Sequence, residues 1–254
     1  MRQIQLFLTK EIFANWRTKK IPILFIIAFS VGILSPFLAK IMPNILTSIL
    51  PKEMAITLPT PTSSDSWTQY YKNLPQFLLL AIVLLSVGII STEVEKGTLI
   101  PFITKGLSRY AVVMSKGLYL FFIWSFTLFT SFLINASYTA YYFNDDKSPH
   151  LLLPLFGFWL YGIIFLAATI FASTLAKNTG ASLLIMAIFY LISNLLGIFK
   201  KITHYNPFTL GSNSLNWLTG KSDFATYWPA VALAIFLIFS FFILSLMIFK
   251  KRRL

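Results

Sequence analysis

Six charged side chains lie close together in residues 91–116, between two long uncharged stretches of the chain. Residues 74–90 before them and 117–143 after them contain no charged residue. Carboxylates and cations at this density can pair with one another or with a partner, and they predict a segment at a membrane face rather than inside the apolar layer. The six are Glu93, Glu95, Lys96, Lys105, Arg109 and Lys116.

The same segment contains signals for local helix boundaries. Thr92 followed three residues later by Glu95 matches a capping box, in which the Thr92 hydroxyl accepts from the Glu95 backbone N–H. Gly97 and Pro101 are expected to limit this short helix, because glycine costs helix stability and proline lacks an amide donor. Ser108 is predicted to be the N-cap of the next long helix.

The order of these residues resembles the membrane subunits of ABC-2 type exporters. In that family, E-x-E-x-G-T is followed by a leucine run, by P-x-S-R and by a lysine. This chain has Gly106 where the family usually has proline. The resemblance implies a cytoplasmic coupling helix between the second and third spans, which docks on a separate ATPase. The coupling residues would be Thr92, Glu93, Glu95, Gly97, Thr98, Ser108, Arg109 and Lys116.

The resemblance also implies a role for each group. Glu93 and Glu95 would be docking and helix-capping groups, and Gly97 would permit close approach of the backbone. Arg109 and Lys116 would anchor the third span and transmit motion. Two simpler interpretations stay open: the charges only keep a cytoplasmic loop in water, or Lys116 only anchors its helix at the lipid headgroups.

The composition predicts an all-α integral membrane protein, since 57% of the 254 residues are hydrophobic and 17% are aromatic. A net charge of +13 could indicate nucleic-acid binding, but the basic residues are scattered at span ends instead of gathered on one soluble surface. We therefore expect no nucleic-acid partner, and contact with lipid headgroups instead. The chain has no cysteine, which excludes disulfides and thiolate metal sites.

We interpret residues 1–254 as a single ABC-2 type transmembrane domain with six spans. Its first 20 residues predict an interfacial helix with Ile4, Leu8, Ile12 and Trp16 at four-residue spacing. A solvated loop is expected at 40–73, a tight turn at 177–178 and short helices within 200–227. Apolar runs long enough to cross a bilayer place the spans at approximately 21–39, 74–90, 110–143, 151–176, 179–199 and 228–249.

Lysine and arginine counts predict the orientation of the chain. With both termini in the cytoplasm, the inner segments hold 14 of these residues and the outer loops hold 7. The positive-inside rule therefore favours cytoplasmic termini. We expect a multi-pass protein of the bacterial cytoplasmic membrane.

Enzymatic activity finds no support in the motifs. No G-x-x-x-x-G-K-[ST] phosphate loop is present, so ATP and magnesium are expected on a partner ATPase, with no cofactor on this chain. His150 and His204 lack metal-ligand spacing, so no metal site is expected. Ser115 and Lys116 are neighbours on a predicted helix and point in different directions, which argues against a catalytic dyad.

The predicted spans contain essentially no ionisable residue, which argues against an ion-driven pathway. Four polar residues in the first and fifth spans could line a substrate path. Side chains of this type also form simple hydrogen bonds between helices, and that alternative stays open. The four are Ser30, Ser35, Ser193 and Asn194.

These observations favour the permease subunit of an ATP-driven exporter. The resemblance implies two ATPase copies and a second permease copy, identical or paralogous. An aromatic, weakly charged interior suits amphipathic or lipid-like cargo. Small permeases of this kind resemble those that export membrane-active peptides such as phenol-soluble modulins or that confer immunity to lantibiotics. Alternatives are an exporter of another amphipathic drug, a lipid or an ion, a gradient-driven secondary transporter, and a membrane-embedded scaffold.

Overall fold

The computed structural model describes residues 2–49, 60–145, 151–199, 203–212, 214–218 and 224–252, and these contain helices and turns and no strand. One π-helical turn, Pro75–Leu79, joins α3 to α4. The α-helices are α1 Arg2–Arg17, α2 Lys20–Ile49, α3 Ser63–Leu74, α4 Leu80–Ser86, α5 Ser91–Glu95, α6 Ile100–Thr104, α7 Arg109–Tyr142, α8 Leu152–Leu175, α9 Thr179–Ile198, α10 Thr209–Ser212, α11 Ser214–Leu218 and α12 Trp228–Lys251.

Six of these helical segments are long and apolar enough to cross a membrane, which confirms the predicted all-α, six-span class. Their centres agree with the predicted spans, although several ends differ. The segments are Lys20–Ile45, Ser63–Glu95, Arg109–Tyr142, Leu152–Leu175, Thr179–Ile198 and Ala225–Lys251.

The predicted loop at 40–73 is wrong over most of its described length. Helix α2 continues to Ile49, and α3 begins at Ser63. A capping box starts α3: Thr62 is its N-cap, and the Asp65 carboxylate accepts from the Thr62 backbone N–H at 2.8 Å. The aromatic residues Trp67 and Tyr70 of this polar helix are buried, so packing rather than hydropathy stabilises it. Residues 50–59 of the predicted loop lie outside the described residues.

Helix α8 is the centre of the bundle. It packs against α7, α9, α11 and α12. In its most apolar stretch of 18 residues, 72% of the residues are buried, against 17% in the equivalent stretches of the segments that contain α9 and α12. Two glycines let large rings approach its backbone: Trp217 of α11 contacts Gly157, and Trp124 of α7 contacts Gly162. Among the described parts of residues 200–227, α10 and α11 confirm the predicted short helices.

Replacing Gly162 with alanine is expected to lower the free energy of unfolding by about 1–3 kcal/mol, because the new methyl overpacks the core. Its Cβ would overlap Cζ2 of Trp124, which is fully buried and donates to the Trp159 carbonyl. Gly197→Ala is the control, since that Cβ meets no atom within 4 Å and alanine favours the helix. Thermal unfolding in detergent compares the two variants, and equal midpoints would contradict the expectation.

Candidate functional site

The backbone amides at the start of α5 donate to a side chain of another span. Ser173 Oγ of α8 accepts from the backbone N–H groups of Ile90 and Ser91, each at 2.9 Å. These are amides at a helix start, which have no partner within their own helix. The predicted Thr92–Glu95 capping box is therefore wrong: the N-cap position of α5 is Ile90, and Thr92 lies inside the helix.

Polar side chains of α5 also contact the beginning of α9. The Thr92 and Thr179 hydroxyls are hydrogen bonded at 2.8 Å, and the Ser182 hydroxyl donates to Ser91 Oγ at 2.8 Å. Glu95 is exposed, and its Oε2 accepts from the Thr179 backbone N–H at 3.4 Å, where a carboxylate also complements the α9 dipole. Three side chains of α5 thus reach the first turn of α9.

The end of α5 follows the prediction for Gly97. This glycine has φ +65, a left-handed conformation that favours glycine. The Thr98 backbone N–H donates to the Glu93 carbonyl at 3.0 Å, as in a Schellman motif, and the Thr98 hydroxyl donates to the same carbonyl. Pro101 does not end α5: it lies in the first turn of α6, where a missing N–H leaves no bond unmade.

Ser108 is the N-cap of α7, as predicted, and its Oγ accepts from the Ala111 backbone N–H at 3.1 Å. The next residue, Arg109, donates to the Phe249, Lys250 and Arg252 carbonyls at the end of α12. Arg252 in turn donates to the Thr174 and Ala176 carbonyls at the end of α8. Two arginines therefore satisfy helix C-termini at this face of the bundle.

A cluster of four charges joins α1, α5 and α7, with Glu11 and Lys116 buried and Lys10 and Glu93 half-buried. Lys116 Nζ lies 2.9 Å from Glu11 Oε1 and 2.7 Å from Glu93 Oε2, and its side chain is 1% exposed. Lys10 Nζ lies 3.0 Å from Glu11 Oε1 and 2.6 Å from Glu93 Oε1. Burial opposes the charge of Lys10, but the two carboxylates outweigh it and raise its pKa above the ordinary value.

This cluster changes two expectations. Glu93 turns inward and makes ion pairs, so its carboxylate is unsuited to docking on another protein. Lys116 is a buried ionisable residue within the third span, contrary to the prediction that the spans contain essentially none. It is paired with two carboxylates.

Sequence reasoning missed Lys10 and Glu11. Helix α1 is confirmed, but it buries Phe7 and Glu11, while Ile12 and Trp16 of the predicted apolar face are 46% and 58% exposed. One signal was available, because Glu11 interrupts the apolar arc of an otherwise amphipathic helix. A carboxylate at such a position points to a cation on a neighbouring helix.

The four predicted path residues separate into two pairs. Ser30 is exposed and donates to the Ile26 carbonyl of its own helix, and Ser35 is buried and accepts from Asn73 of α3. Ser193 and Asn194 line a cavity of about 520 Å³ beside α3 and α8. A second cavity, of about 210 Å³, adjoins this one between α4 and α9, and Pro75 and Tyr190 line both. We call the two cavities together the α9 groove.

The described residues contain no group of three or more His, Cys, Asp or Glu side chains that could hold a metal ion. Of the two histidines, His204 is exposed with its ring 5.1 Å from that of Tyr227, and His150 lies outside the described residues.

Comparison with curated proteins gave no match. The sequence profile described as "ABC-2 family transporter protein" matches residues 74–254, which include α5, α7 and most of the α9 groove but not Lys10, Glu11 or the groove residues Tyr71 and Lys72. The match spans well over half of the chain and the six-span helical fold fits it. The chain therefore belongs to the ABC-2 transporter family, and it is a multi-pass membrane permease subunit, not itself an ATPase.

Proposed function

We propose that this chain is the permease of an ATP-driven exporter, and that α5 and α6 form the coupling segment on which a separate ATPase acts. One observation carries the proposal: α5 is bonded to the first turn of the groove-lining helix α9 and, through Glu93, to α1 and α7. A displacement of α5 would therefore act on α9 and, through Ser173, on α8, which both line the groove. Rigid helices joined by polar contacts can transmit such a displacement.

The ATPase is expected to bind the exposed side of α6. Ile100 and Phe102 are each 45% exposed there, and Lys96, Thr98 and Lys105 beside them are exposed. An apolar centre with a polar rim is the usual composition of a protein interface. In this proposal Glu95 holds α9, and Gly97 and Thr98 set the turn into α6. Arg109 and Lys116 hold the third span in place, and the termini and coupling segment lie in the cytoplasm.

We further propose that two copies enclose the path, with two ATPase subunits. Leu80, Leu84 and Leu183 on the groove walls are 40–52% exposed in a single chain, so a second permease facing them would complete the enclosure. The cargo proposed is an amphipathic, membrane-active peptide, because the groove is apolar at one end and polar at the other.

The test is co-purification with the ATPase encoded beside this chain. Ile100→Glu is expected to reduce the ATPase recovered per permease about tenfold or more, because it places a carboxylate at an apolar contact. Leu152→Glu is the matched control, since Leu152 is 73% exposed and begins α8 at the opposite face of the bundle.

Two outcomes would contradict the proposal. If the unmodified chain retains no ATPase, the exporter proposal is wrong, and a gradient-driven carrier or a scaffold becomes the working hypothesis. If Ile100→Glu and Leu152→Glu retain equal amounts, the exposed side of α6 is not the docking surface. ATP turnover in lipid, with and without the permease, gives a second readout of the same contact.

A further inference from the structure

The α9 groove changes in chemistry along its length. Its section next to the coupling segment is lined by aliphatic side chains such as Leu79, Val83 and Met186. The section farther from that segment has hydroxyl, amide and amine groups beside apolar residues such as Ile198 and Phe208, and the polar groups include those of Lys72, Gln76, Ser193 and Asn194. A ligand that fits both sections must have an apolar part and a polar end.

Lys72 is the only charged residue among the described residues that line the two sections. It is exposed in the last turn of α3, and no described carboxylate lies within ion-pair distance of it. Lys72 differs in this respect from Lys116, which is buried and paired with two carboxylates. A cation at the polar end of an otherwise uncharged groove favours an anionic group at that end of the ligand.

The length of the groove limits the size of the ligand. Its wall runs from Tyr71 to Leu84, a rise of about 20 Å at 1.5 Å per residue. An extended peptide of about six residues has this length at 3.3 Å per residue.

We propose that Lys72 binds a carboxylate of the cargo, with the adjoining apolar residues in the aliphatic section and a bound segment of about six residues along the whole groove. This inference rests on the proposed exporter function and specifies its substrate class as anionic amphipathic peptides. Lys72 is then a specificity residue of the path. Ser193 and Asn194 lie beside the backbone of the bound segment, where hydroxyl and amide groups pair with peptide groups.

The test uses the unmodified chain in phosphatidylcholine nanodiscs without the ATPase. The probes are a dansylated peptide of six apolar residues with a free C-terminal carboxylate and the same peptide as its C-terminal amide. Fluorescence anisotropy is expected to show about tenfold tighter binding of the carboxylate, equal to about 1.4 kcal/mol. Lys72→Gln is expected to abolish this preference, and Lys72→Arg to retain most of it.

Lys40→Gln is the matched control, because Lys40 is also exposed but its ammonium lies over the Tyr142 ring, outside the groove. The inference is overturned if the unmodified chain binds both peptides equally, or if Lys40→Gln loses the preference as Lys72→Gln does. It is also overturned if dodecyl phosphate displaces the carboxylate peptide and binds more tightly, which would indicate a lipid occupant. Because no ATPase is present, failure here leaves the co-purification result standing, and the reverse holds.

Discussion

Replacing Lys116 with methionine is expected to lower the free energy of unfolding by about 3–5 kcal/mol, because it leaves the buried Glu11 carboxylate without its closest cation. The methionine fills a similar volume, so the loss would come from the charge and not from a cavity. Unfolding in mixed detergent and SDS micelles, followed by tryptophan fluorescence, measures it. Lys177→Met, at an exposed lysine in the turn before α9, is expected to change stability by less than about 0.5 kcal/mol.

The double variant Glu11→Leu with Lys116→Met separates charge from packing. It removes one anion and one cation, and the Lys10–Glu93 pair at 2.6 Å remains. Most of the loss should be recovered, since apolar replacement of a buried pair is often close to neutral. If Lys116→Met is as stable as Lys177→Met, Lys116 only anchors its helix at the membrane surface.

Replacing Ser173 with alanine is expected to lower the free energy of unfolding by about 2–4 kcal/mol, because the buried amides of Ile90 and Ser91 both lose their acceptor. The same variant should loosen the start of α5, so amide hydrogen exchange at residues 90–92 is expected to accelerate. Both readouts come from one hydroxyl on a different span.

Thr174→Val controls for removal of a buried hydroxyl. The Thr174 hydroxyl is also buried, but it donates only to the Ile170 carbonyl of its own helix. Its loss should cost less than about 1 kcal/mol and leave exchange at residues 90–92 unchanged. Equal costs for the two variants would contradict a capping role for Ser173.

The positions of the six spans could be predicted from the sequence because an apolar run of sufficient length has few alternatives to crossing the bilayer. Ser108 was also predictable, since its partner, the Ala111 amide, lies three residues away. The capping box at Thr92 failed for the opposite reason. The pattern is local, but the acceptor at the start of α5 comes from Ser173, 82 residues away from Ser91.

Helix α3 has a sequence signal for its N-terminus that a hydropathy analysis does not detect. Thr62 and Asp65 have the spacing of a capping box, and the structure forms it, although the surrounding proline, serine and threonine residues favoured a loop. The buried aromatic rings of α3 pack beside α2 and α7, which the sequence could not place. The pairing of Glu11 with Lys116 was unpredictable for the same reason, since 105 residues separate them.

The π-helical turn at Pro75–Leu79 determines which side chains of this helix point into the groove. Lys72, Gln76, Leu80 and Leu84 all line the α9 groove at four-residue intervals. At 3.6 residues per turn, residues 72 and 84 would face directions about 120° apart, and a wider turn with one extra residue corrects that drift. The alignment of the polar and aliphatic sections therefore depends on the number of residues in this turn more than on their identity. Loss of a single residue there would rotate Lys72 away from the aliphatic section, even with every side chain of the groove still present in the chain.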